Sequence, residues 1–112
     1  MNDWDDDATA APDWNRMVYE TLNPDNSVGV ACSRSGEIVG MHIAEEARDN
    51  GDAWLSAEIL RVAKLAHMKS RVGLRAEMAY QGAETSTIDA FDLPTEVAYR
   101  NAEREAFRET RS

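Results

Sequence analysis

One cysteine, two histidines and three prolines are all that this chain carries among 112 residues, and each scarcity closes off a class of chemistry. Cys32 alone cannot form an internal disulfide, and with only His42 and His67 beside it the ligands for a zinc or iron–sulfur site are too few. No run of about 18 apolar residues exists to span a bilayer, and the N-terminus is acidic where a secretory signal is basic and then apolar. A Sec-type route and a membrane anchor are not expected, so the chain is expected in the cytosol when made. A phosphate-binding loop is missing as well, because Gly29, Gly36 and Gly40 fall within and between expected strands rather than between a strand and a helix. No convergent catalytic set appears in their place. His42 falls on the opposite strand face from the apolar residues beside it, Cys32 shares a face with Val28 and Val30, and Glu45 and Glu46 are neighbours in a charged loop. The chain is therefore read as a non-enzyme with no metal and no cofactor.

What is present is one domain's worth of sequence, 43% hydrophobic and 29% charged, enough for a modest core that oligomerisation would help to stabilise. The formal charge of −9 is unevenly spread. Residues 1–13 hold five Asp and no base, 44–52 and 84–112 are also acidic, and only 53–83 is basic, through Arg61, Lys64, Lys69, Arg71 and Arg75. An acidic chain repels nucleic acid as a whole, yet one basic helix face can still attract it.

The opening MNDWDDDATAAPD has no periodicity and little to bury, so residues 1–13 are expected to form a disordered acidic tail. Trp4 within it is either a stray aromatic or an anchor for a partner. Residues 16–22 are rich in β-formers and end at the turn residues Asn23-Pro24-Asp25-Asn26, which favours a strand, with a short helix capped by Asp13 as the competitor. Val28, Val30 and Cys32, then Val39, Met41 and Ile43, recur at period two around Ser33-Arg34-Ser35-Gly36, which predicts a hairpin with Gly36 at positive φ. The three strands make an antiparallel meander that needs an apolar cover.

The cover is a long helix from an Asp52 N-cap to about Tyr80, with Leu55, Ile59, Val62 and Ala66 in one stripe and Leu65, Met68, Val72 and Ala76 continuing it with rotation. Arg61, Lys64, Arg71 and Arg75 are expected opposite. Ala63, Ala66, Ser70, Gly73 and Ala76 are small enough to admit a second helix or strand, and Gly73 costs about 1 kcal/mol relative to Ala in mid-helix. A polar linker at 84–94 follows the 14–83 domain. Thr95 then caps a last amphipathic helix, within 95–112, whose Tyr99, Ala102 and Ala106 share a narrow face. The fold class is α+β, a three-stranded antiparallel meander packed by one long helix and followed by a C-terminal amphipathic helix.

The stretch NSVGVACSRSGEIVGMHI followed by AWLSAEILRVAKLAHMKS resembles the YbaB/EbfC family, a glycine-turned hairpin leading through an acidic loop into a long alanine-spaced helix. The helix LSAEILRVAKLAHMKS, the segment VYETLNPDNSVGVACSRSG and the tail FDLPTEVAYRNAEREAF together resemble the actinobacterial EspD/EspH group of type VII secretion-associated proteins, over residues 18–108. The resemblance implies a YbaB-like fold, pairing with itself or with another YbaB-like protein, and a role as a chaperone or adaptor that stabilises or escorts secretion substrates. It also permits export of the chain itself.

The partner surface expected from these readings is Val72, Ala76 and Tyr80 on the long helix together with the free edge of the sheet, with Tyr99 and Phe107 on the last helix. The alternative implied by the same family is nucleoid association, carried by Arg61, Lys64, Arg71 and Arg75 of two subunits. Tyr99 and Glu103 have the spacing of a type VII export signal, which chance supplies often in so acidic a chain.

Overall fold

The structure, a computed structural model, describes residues 12–108; the expected tail lies mostly outside them. A 3₁₀ turn at Trp14–Arg16 leads into β1 (Val18–Leu22), and β2 (Val28–Ser33) and β3 (Ile38–Ile43) complete a sheet of order β1-β2-β3 with both pairings antiparallel. The strand reading of the first segment holds, and helix is confined to that single turn.

Each connection has a local cause. At the first, Asn26 takes φ 62, while the Asn23 side-chain oxygen accepts from Val28 N at 3.0 Å and the Asp25 carboxylate accepts from Ser27 N at 3.0 Å. Asn and Asp do this because their short polar side chains imitate backbone groups. At the second, Gly36 takes φ 90 and its N–H donates to the Ser33 carbonyl, as the hairpin pattern predicted.

β3 departs from simple alternation. Val28 pairs with Ile43, Val30 with Met41, and Cys32 with Ile38, across an irregularity beside Ala31 and Cys32. Directly paired residues share a face, so Ile38, Met41 and Ile43 sit on the side of Val28, Val30 and Cys32. Val39 is the extra residue of a bulge, which corrects the expected set of Val39, Met41 and Ile43.

After β3 the expected polar connection contains a short helix, α1 (Glu45–Arg48), whose Ala47 is buried. The long helix α2 spans Asp52–Tyr80. Its N-cap is Gly51 at φ 93, and Asp52 is its first residue rather than its cap; a carboxylate there still meets the positive end of the helix dipole. The expected linker likewise holds a helix, α3 (Thr85–Ala90), which buries Ile88. The last helix, α4 (Glu96–Ala106), is capped as predicted, the Thr95 hydroxyl accepting from Ala98 N at 3.1 Å.

One core joins these pieces. Val28, Val30, Cys32, Ala47, Val62, Leu65, Ala66, Tyr99 and Phe107 form a single buried cluster, with Leu55, Ile59, Met68 and Val72 packed against it. Ala63, Ala66, Ser70 and Gly73 of α2 serve this core, while Ala76 is exposed. A Cβ added at Gly73 would overlap the Tyr19 ring, and Ser70 is fully buried. The close approach that Gly73 allows is thus to the chain's own β1, not to a second molecule.

Candidate partner-binding surface

Helix α2 lies across β1 and β2 and scarcely reaches β3. The inner face of β3 is consequently left open beyond Ile43, with Ile38 54% and Met41 50% exposed, and Val39 at the bulge 56% exposed. Each such half-exposed side chain forgoes roughly 1 kcal/mol of burial. β3 is also an edge strand, whose outer backbone groups are free to pair. A bulge is one device by which folds blunt such edges; here the bulge brings a third apolar side chain, Val39, to the same edge.

A polar belt pins α2 to the two hairpin turns. Near its start the Glu58 carboxylate, 2% exposed, accepts from Asn23 Nδ2 at 3.0 Å and pairs with Arg61 at 3.1 Å. Near its end Arg34 grips Glu77 through two bonds, Nε to Oε1 at 2.7 Å and Nη2 to Oε2 at 2.5 Å. The Arg34 side chain, by its hydrogen bonds, holds the Glu77 carboxyl below its ordinary range despite burial. Between them Arg71 donates to the Arg34 carbonyl at 2.6 Å, and His67 Nδ1 lies 3.2 Å from the Gly36 carbonyl.

The residues expected to bind partners separate into two groups. Tyr80 is exposed and stacks edge-on against Trp14 with ring centroids 5.7 Å apart, and Ala76 is exposed beside it. Val72 is half-buried against the core. Tyr99 and Phe107 are each 1% exposed, which corrects their assignment: they belong to the chain's own core. The Tyr99 hydroxyl lies 2.8 Å from Thr21 Oγ1 and 3.2 Å from the Glu103 carboxylate, to which it donates. Burial pushes its phenol pKa up. The narrow face of α4 therefore docks on this chain, because one large ring with a polar tip finds both an apolar bed and a strand hydroxyl. Tyr99 and Glu103 are in register on α4, but a receptor reading them as an export signal meets a buried ring.

The basic residues are largely spent inside the molecule. Arg61 holds Glu58, Arg71 holds the hairpin turn, and Arg75 donates to Asp89 at 2.8 Å and to the Leu93 carbonyl at 3.3 Å. Of the four, Lys64 and Arg71 have no salt bridge among the described residues, and Arg71 is held instead by its hydrogen bond to the Arg34 carbonyl. His42 is exposed on β3, and Cys32 is fully buried, with burial pushing its thiol pKa up. Among the described residues no group of three or more His, Cys, Asp or Glu is placed to hold a metal ion, and no helix is long and apolar enough to cross a membrane.

Two surface features escaped the sequence reading. Ile38 was hidden by the bulge, which breaks the period that locates a face. Leu60 falls outside both helical stripes and is 62% exposed; an aliphatic residue on a polar helix face was the available signal.

The class of protein that these features define is an α+β domain in which a three-stranded antiparallel sheet carries one long helix and a docked C-terminal helix. Comparison of the chain with protein-family models, with curated proteins and with solved structures finds no match.

Proposed function

We propose that the protein is a non-enzymatic pairing module, a secretion-associated chaperone or adaptor that joins a second YbaB-like subunit and stabilises or escorts type VII secretion substrates. The observation that carries the pairing is the uncovered inner face of β3, where Ile38 and Met41 extend the core's own apolar surface past the edge of α2. Antiparallel pairing of β3 with a partner strand satisfies its free backbone groups and continues that surface into the partner. The exposed Ala76 and Tyr80 at the far end of α2 offer a second contact. The secretion role rests on the sequence resemblance alone.

Nucleoid association is the weaker reading. Three of its four basic residues already serve internal carboxylates and carbonyls, and a duplex would have to compete for them against bonds that hold the fold.

The test is to tag the protein in its native host, purify it at physiological salt after nuclease treatment, and identify what remains bound by mass spectrometry. Stoichiometric recovery of a second YbaB-like protein or of secretion substrates is the expected result. Recovery of the bare protein, with DNA retained only when nuclease and salt are omitted, overturns the adaptor reading in favour of nucleoid association.

A further inference from the structure

A groove of about 390 Å³ runs between α2 and α4, lined by Ala57, Leu60, Arg61, Lys64, Leu65 and Ala106. Its floor is aliphatic and its charged rim is entirely basic. Leu60 is the most exposed large hydrophobic residue of α2, and Lys64 beside it has no salt bridge among the described residues. In a chain of net charge −9 this is an unusual place, an apolar slot whose lining holds two bases and no acid, with Arg61 paired to the buried Glu58 and Lys64 left to face outward.

Residues 1–11, outside the described residues, have the complementary chemistry. They carry one large apolar group, Trp4, flanked by Asp3, Asp5, Asp6 and Asp7, with no base. Tryptophan is the side chain that most often anchors an interface when it enters an apolar pocket, and the aspartates would face Lys64 on the rim, Arg61 being paired already with Glu58.

Reach favours a neighbour's segment over the molecule's own. Trp14 packs on Tyr80 at the far end of α2, and from Tyr80 back to Leu60 the helix rises about 30 Å. The segment from Pro12 back to Trp4 spans at most about 29 Å when drawn fully straight, and about 16 Å as a relaxed coil. Docking within one molecule would therefore demand a taut chain, whereas the same segment from a neighbour has no such restraint. We infer that the α2–α4 groove takes the acidic, Trp4-bearing N-terminal segment of a second copy of this chain. This rests on the pairing reading above and adds to it a contact distinct from the β3 edge.

The experiment mixes equal amounts of ¹⁴N- and ¹⁵N-labelled full-length protein at physiological salt. A carbodiimide joins carboxylates to amines in contact, and the products are mapped by mass spectrometry while sedimentation reports the oligomeric state. The expected product is an amide between Lys64 and one of Asp3, Asp5, Asp6 or Asp7 in which the two peptides carry different isotopes. Trp4→Ala and, separately, Leu60→Asp are each expected to lower its yield roughly tenfold. Leu60 is exposed, and an unchanged circular dichroism spectrum shows that its variant folds. Links confined to one isotope overturn the inference in favour of occupation by the molecule's own N-terminus. Pairs that sediment without any such link overturn it and leave the pairing reading standing, and absence of pairs overturns it and confines the pairing reading to a different YbaB-like protein.

Discussion

Glu77 shows how a single residue can couple the hairpin turn to the long helix. Its carboxylate is buried, and the two bonds from Arg34 keep it ionised by lowering its pKa. A carboxyl whose pKa is lower folded than unfolded adds stability above its unfolded value, about 4.3, and that contribution is lost as pH falls through the lowered folded value. Glu77→Gln is therefore expected to lower the urea midpoint at pH 7, and the gap from the parent should close as the pH is taken below 4. Urea titrations across that range are the check; a gap that stays constant would mean the carboxylate's charge contributes nothing. Gly73 is the complementary case. Its high cost in an isolated helix was legible in the sequence, but its reason was not, because only the crossing of α2 over β1 brings the Tyr19 ring to that spot. Local composition revealed a small residue; it carried no information on which neighbour needed the space.

At the scale of elements, periodicity located what is regular and failed where the chain is irregular. The hairpin, the end of α2 near Tyr80 and the Thr95 cap follow from period two, period 3.6 and capping chemistry, and all three are present. The short helices α1 and α3 were read as polar connections because four to six residues are too few to show a helical period. The bulge in β3 shifted one residue and with it the face of everything before it. Helix α4 was underestimated for another reason: its apolar face is narrow, but Tyr99 and Phe107 are large and both are completely buried. Tyr99→Phe should cost about 1 to 2 kcal/mol by removing the bonds to Thr21 and Glu103, and Tyr99→Ala about 3 to 5 kcal/mol. In the alanine variant amide hydrogen exchange is expected to accelerate across Glu96–Ala106 well before it does in β2. Uniform acceleration of the whole domain would show that α4 is inseparable from the core.

For the molecule as a whole, the open inner face of β3 is the feature that a monomer does not explain. Substituting both Ile38 and Met41 by Lys places two charges where pairing would bury them, and each is already half-exposed, so the fold should tolerate them. Sedimentation equilibrium is expected to show pairs for the parent and single chains for this double variant, with unchanged circular dichroism. A variant that pairs as well as the parent would move the interface elsewhere. Of the candidate surface, the sequence indicated Ala76 and Tyr80, misplaced Tyr99 and Phe107, and was silent on Ile38 and Leu60. The difference is physical: whether an apolar residue is free depends on how far the cover extends, and that is set by the crossing of α2 over the sheet.

The bond between Thr21 and Tyr99 links residues 78 positions apart. On a ribosome the sheet and α2 emerge first, while Thr21 and the bed for Phe107 stay open to water until α4 has followed them out of the exit tunnel. The nascent domain thus passes through a stage in which the place of Tyr99 is unfilled, and closes it only when the last helix arrives.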